Sequence, residues 1–216
     1  MWEGENKNIM KLFFDTEFTG LHKGTTLISI GVVSEDGRSF YSEFTDYDKS
    51  QVNDWIQKNV IENLLFEIPK TNEDFYYSAK RSGFNIRGND LYAAYDVEMN
   101  GKTDVVLKEM KRWINQFERV QFVSDVCHYD FVLLIDLLTN GGEALDLPRQ
   151  ISASCHDINQ DIAAHYNVSE EEAFNMSREE IMNELCGPEE IVTGDKHNSL
   201  YDAKVIKKIF QKVGCL

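Results

Sequence analysis

The chain is poor in proline, cysteine and positive charge, and it lacks any long apolar run. Three prolines in 216 residues rule out a proline-rich extended architecture. The four cysteines, Cys127, Cys155, Cys186 and Cys215, form no Cys-x-x-Cys pair. That excludes a disulfide framework and a thiolate zinc site, and it suits reduced thiols in a cytoplasm. No stretch approaches the roughly 18 apolar residues of a membrane span, and residues 1–11 carry no apolar segment of signal-peptide length. The expectation is a cytoplasmic protein with no membrane partner. Lys and Arg number 22 against 37 Asp and Glu, a net charge of −15. A broad basic surface gripping phosphate is therefore excluded, and any nucleic acid must be held locally. Carboxylates that bind cations lose most of their repulsion toward phosphate, so the formal charge overstates the problem beside a metal ion.

The composition that remains is ordinary for a folded protein, with 42% hydrophobic and 12% aromatic residues, enough to build the core of one domain spanning 1–216. Met10 to Phe14, Thr25 to Val33 and Arg38 to Phe44 read as strands, the last two joined by the hairpin signal Asp36-Gly37. Val52, Trp55, Ile56, Val60 and Leu64 recur on one helical face, with Asp48 or Ser50 available as cap. Residues 66–102 lose periodicity and carry Pro69, Gly83, Gly88 and Gly101, which predicts a long excursion. Thr103 can cap a helix bearing Val106, Met110 and Trp113, followed by a strand at Val120 to Val126. Helices are expected from Tyr129 to Thr139, over Asp157 to Tyr166 and over Asn198 to Val213, with an edge strand at Ile151 to Cys155. Ser169 and Ser177, each followed three residues later by Glu, mark short solvated helices within an acidic insertion at about 168–196. The order predicts an α/β fold, a mixed sheet of about five strands with the first three antiparallel and helices on both faces.

Asp15-Thr16-Glu17 closes the first strand. Successive strand side chains alternate faces, so Asp15 and Glu17 project together. Two carboxylates flanked by Phe13, Phe14 and Phe18 repel and lose hydration unless protons or a hard divalent ion compensate them. A second triplet, Asp96-Val97-Glu98, lies in a polar, glycine-flanked stretch where hydration suffices. Asp202 falls in phase with Ile206, Ile209 and Val213 and so aims a charge at the core. As a bland alternative it is a first-turn acid favoured by the helix dipole. His197, five residues earlier in a glycine-containing loop, has a side chain that titrates near neutrality and can take a proton from water. His156 and Asp161 share that spacing but sit in a helix of mixed polarity, where Asp157 and Asp161 fall on an easily solvated face. Asp130 is in phase with Leu133, Leu134 and Leu137, with Asp125 as the competing fourth carboxylate.

Asp15-Thr16-Glu17-Phe18, Tyr129-Asp130 and His197-Asn198-Ser199-Leu200-Tyr201-Asp202 together resemble the three motifs of the DEDDh 3′-to-5′ exonucleases, over residues 10 to 212. FFDTEF, ISIGVV and HNSLYDA look closest to the exoribonuclease AS branch, which trims RNA with a preference for adenylate. The resemblance implies a ribonuclease H-like fold and two Mg²⁺ or Mn²⁺ ions held by Asp15, Glu17 and Asp202, with Asp130 helping through water. It implies His197 as general base, release of nucleoside 5′-monophosphates, and contacts from Thr16, Phe18 and Leu21 to the 3′ end of a single-stranded nucleic acid, RNA favoured. The 168–196 insertion is open to a homodimer contact or a substrate boundary. Two departures stand out. The residues before Asp130 read Ser124-Asp125-Val126-Cys127-His128 without the usual Asn or His, and Ser199 replaces a small Ala. Alternatives are a DNA-directed 3′-to-5′ exonuclease, a non-catalytic nucleic acid binding module of the same fold, and an unrelated hydrolase of small phosphorylated molecules.

Overall fold

The computed structural model describes residues 9–66, 77–87 and 90–214. Strands β1 (Met10–Phe18), β2 (Leu27–Ser34) and β3 (Ser39–Phe44) pair antiparallel in succession. The turn between β2 and β3 uses Gly37 at φ 95°, a left-handed conformation that glycine adopts without steric cost. Strands β4 (Tyr77–Arg87) and β5 (Asp90–Gly101) form an antiparallel pair, and β5 adds parallel to β3. On the other side, β6 (Val120–Ser124) lies parallel to β1 and is followed by the two-residue β7 (His156–Asp157). The sheet order is β4-β5-β3-β2-β1-β6-β7.

Side-chain alternation along β1 divides the core. Leu12 and Phe14 face helices α2 (Thr103–Ile114) and α3 (Cys127–Thr139), whose Met110, Trp113, Leu134 and Leu137 complete that layer. Phe13 faces the opposite layer, built by α4 (Ile158–Tyr166), α6 (Arg178–Leu185) and α7 (Ser199–Val213). On α7 the buried Val205, Ile206, Ile209 and Val213 stabilise by about 1.5–3 kcal/mol each. Their stripe fixes the rotation of α7 and with it the direction of Asp202.

Among the described residues seven strands stand where about five were expected. The difference lies mainly in 66–102, read as an excursion, of which 77–87 and 90–101 are strands. A register shift between Arg81 and Gly83 breaks the period-two pattern that would reveal β4; residues 67–76, 88 and 89 lie outside the described residues. The edge strand is also displaced. Ile151 makes only a single bridge to Val120, and pairing resumes at His156.

The capping details differ as well. Asn53, not Asp48 or Ser50, caps helix α1 (Asp54–Asn59), and Trp55 is 55% exposed, because Ile56 and Val60 already fill the space beneath that helix. Thr103 is the first residue of α2, where its N–H and hydroxyl donate to Asp46. Ser169 and Ser177 do cap α5 (Glu170–Asn175) and α6, but these helices bury Ala173, Ile181 and Met182 and are only half solvated.

Candidate active site

At the end of β1 the sheet opens into a cleft of about 760 Å³, walled by β1, α1, the start of α3, α5, α6 and the His197 loop. Two features of the backbone build it. Asp15 pairs in register with Gly31 on β2, and a Cβ on Gly31 would lie 2.3 Å from the Ser199 backbone. The first turn of α7 therefore rests directly on the sheet, where only glycine fits. Beside it the fully buried Ser29 and Ser199 share a 2.9 Å hydroxyl hydrogen bond. This explains the serine in the third motif: its hydroxyl has a partner on β2.

Asn198 caps α7, its side-chain oxygen accepting from the N–H groups of Leu200 and Tyr201. That cap turns the chain so that His197 adopts φ 64° and its N–H donates to Asp202 Oδ2 at 2.9 Å. His197 Nδ1 lies 3.7 Å from Glu17 Oε1. The Glu17 carboxylate raises the imidazole pKa, opposed by burial.

The carboxylates fall into two groups, each with ligand atoms within 4.8 Å of one another: Glu17 with His197 and Asp202, and Asp15 with Asp125 and Asp130. Burial raises the pKa of all four carboxylates of the expected set. Asp15 rises well above the usual range, with Asp130, Asp202, Glu17 and Asp125 adding to the effect. Glu17 rises by burial, opposed by His197. Asp202 is pushed up to about 8 by burial and then Glu17, and Asp130 to about 7 by burial, opposed by two hydroxyls. Those hydroxyls are Thr16, 2.6 Å from one oxygen, and Ser124, 2.7 Å from the other. Asp15 Oδ2 is buried and has no hydrogen-bond partner. A buried charged oxygen without a donor is costly, and a cation at this place removes the cost. Carboxylate oxygens as the donors suit a hard divalent ion better than a soft one.

Every expected site residue lines this cleft. Phe18 stacks on Tyr129 with ring centroids 5.9 Å apart and planes at 18°, and Leu21 is 68% exposed at the mouth. Thr16 is buried, its hydroxyl directed to Asp130 rather than outward. The two weaker sequence candidates are structural: Asp96 accepts from the Ser39 N–H at 2.7 Å, and His156 pairs with Asp161 across the β7–α4 junction. Asp125 and Asp130, treated as alternatives, both reach Asp15, and Asp125 is ion-paired to Arg178 at 2.8 Å.

The fold has known counterparts. An S. pombe Pop2p structure in its Mg²⁺- and Mn²⁺-bound form matches with TM-score 0.51 at 14% identity, over 93% of this chain and 81% of that one. A 3′-exonuclease in a structure of 3′-end specific recognition of histone mRNA stem-loop matches with TM-score 0.55 at 13% identity, over 95% and 64%. The fold is ribonuclease H-like. In sequence, 55 residues are 42% identical to a 3′-5′ exoribonuclease found in two Mycobacterium tuberculosis strains. That match spans 26% of this chain and 33% of the relative, so the similarity reaches only about a third of the relative's length. No protein-family model matches the chain.

Within this ribonuclease H-like frame, three contributors escaped the sequence reading. Trp55 packs edge-to-face on His197 at 5.1 Å. Asn63 brackets the same loop, its side chain donating to the Lys196 carbonyl and its own carbonyl accepting from Asn198 Nδ2. Arg178 reaches the cleft from α6. No local pattern marks such long-range partners, although a polar Asn following an amphipathic helix was a weak signal.

Proposed function

We propose that the chain is a divalent-metal-dependent 3′-to-5′ exonuclease acting on single-stranded ends, with RNA the preferred substrate, of the kind the exoribonuclease AS branch represents. The observation that carries this reading is the convergence of Asp15, Glu17, Asp125, Asp130 and Asp202 on one cleft, with a buried carboxylate oxygen lacking any donor. The metal-bound state of the Pop2p structure and the exoribonuclease relative support it.

Asp15, Glu17 and Asp202 would hold two Mg²⁺ or Mn²⁺ ions, with Asp130 assisting. Such ions stabilise the attacking and leaving oxygens of an in-line displacement. The remaining steps belong to the protein. His197 takes a proton from the attacking water, and Glu17, beside the imidazole, stabilises the charge that the ring acquires. Phe18 and Leu21 line the mouth and pack against the terminal bases, a contact tolerant of sequence. The product is a nucleoside 5′-monophosphate. The cleft needs only a chain end, which reconciles a nucleic acid substrate with a net charge of −15.

With Mn²⁺, the purified protein should shorten a 5′-labelled oligonucleotide one residue at a time from its 3′ end, and Asp15→Ala or Asp202→Ala should abolish the ladder. Persistent trimming by both variants would refute the mechanism. Parallel digestion of poly(A), mixed RNA and DNA tests the RNA preference. Binding of oligonucleotide without divalent ions and without product would instead favour a non-catalytic module.

A further inference from the structure

Arg178 is mostly buried, with a side chain 14% exposed, and all three of its guanidinium nitrogens donate hydrogen bonds. Nε donates to Asp125 Oδ2 at 2.8 Å, Nη2 to Asn159 Oδ1 at 2.6 Å, and Nη1 to the carbonyls of Ala173 and Met176 at 2.9 and 3.1 Å. Asn159, itself 4% exposed, donates back to the Asp125 carbonyl at 2.7 Å. The network ties the α5–α6 wall to the floor of the cleft through one carboxylate of the cluster. The field of Asp125 is felt there: it raises the pKa of Asp15, Asp130 and Asp202.

Five carboxylates converge, and a guanidinium fork is already bonded to one of them. Two divalent ions carry four positive charges. With Asp125 compensated by Arg178, the four remaining carboxylates match that charge, whereas five uncompensated ones would exceed it. We propose that Arg178 is an internal counter-ion that withdraws Asp125 from cation binding and leaves Asp15, Glu17, Asp130 and Asp202 to set the charge of the metal site. This rests on the metal-site reading above and adds a positioning residue to it, supplied by the acidic segment between the second and third motifs. Among the described residues of that segment, Arg178 is the cation ion-paired to a carboxylate of the cluster.

Mn²⁺ titration of the full chain, followed by the loss of the free-ion electron paramagnetic resonance signal at fixed pH and ionic strength, tests the idea without reference to activity. Arg178→Gln should bind Mn²⁺ more tightly, on the order of tenfold, because one unit of compensating charge is gone. Asp125→Asn should bind about tenfold more weakly, since Arg178 then faces the cluster uncompensated. The double variant should return close to wild type, which a purely structural anchor or a direct Asp125 ligand would not allow. Unchanged affinity in both single variants, or a double variant as weak as Asp125→Asn alone, overturns the proposal. If Arg178→Gln fails to fold because it strands the buried Asp125 charge, the charge-neutral double variant Arg178→Gln/Asp125→Asn decides beside Asp125→Asn: affinity close to wild type supports the counter-ion, and affinity as weak as that of Asp125→Asn alone overturns it. Wild-type protein that binds no Mn²⁺ would refute the metal site itself rather than the role of Arg178.

Discussion

At the scale of single residues, His197 is the sharpest test of the proposed chemistry, because it touches Glu17 and belongs to no core cluster. His197→Ala should lower kcat by roughly 10² to 10⁴, the usual contribution of a general base, while Mn²⁺ binding and KM change little; a single-turnover assay distinguishes these. Gly31 tests the scaffold instead. Gly31→Ala drives a methyl into the Ser199 backbone, and overpacking of this kind destabilises by about 1–3 kcal/mol. Since the contact sits under the first turn of α7, activity should fall further than a surface change of equal stability cost, as a denaturant titration beside an activity assay would reveal.

At the scale of elements, the docking of α7 on β2 rests on the Ser29–Ser199 hydrogen bond. Ser199→Ala should cost about 1–3 kcal/mol, since it leaves a buried Ser29 hydroxyl without its partner, whereas the Ser29→Ala/Ser199→Ala double variant should regain part of the loss. Additive losses in thermal melts would contradict the pairing. The same junction marks what was readable beforehand. Strand β1 was legible because its apolar run ends in alternating carboxylates, and α7 because Ile206, Ile209 and Val213 repeat at helical spacing. Strands β4 and β5 were not, because a bulge and glycines erase their alternation. The carboxylates that line the cleft stood out as charges aimed at apolar faces. Trp55, Asn63 and Arg178 were not, because their roles exist only through partners far away in sequence.

At the scale of the whole molecule, the raised carboxylates couple folding to pH. Asp130 and Asp202 bind their protons more tightly in the folded protein, near 7 and 8, than in the unfolded chain, where Asp titrates near 3.9. Metal-free protein should therefore be most stable below about pH 4 with respect to these groups and lose that stability as pH rises toward 8. Divalent ions compete with the protons, so the rise in melting temperature on adding Mn²⁺ should grow across the same interval. A Mn²⁺ shift that shrinks from pH 5 to pH 8 would contradict this. Among the described residues no helix is long and apolar enough to cross a membrane.

The left-handed backbone at His197 has a further consequence. Residues other than glycine are disfavoured there, so the loop carries a conformational cost at the imidazole. Of two variants that both lack that ring, His197→Gly should therefore melt above His197→Ala, by about 0.5–1 kcal/mol. The ordering is the reverse of that expected at an ordinary helical or extended position.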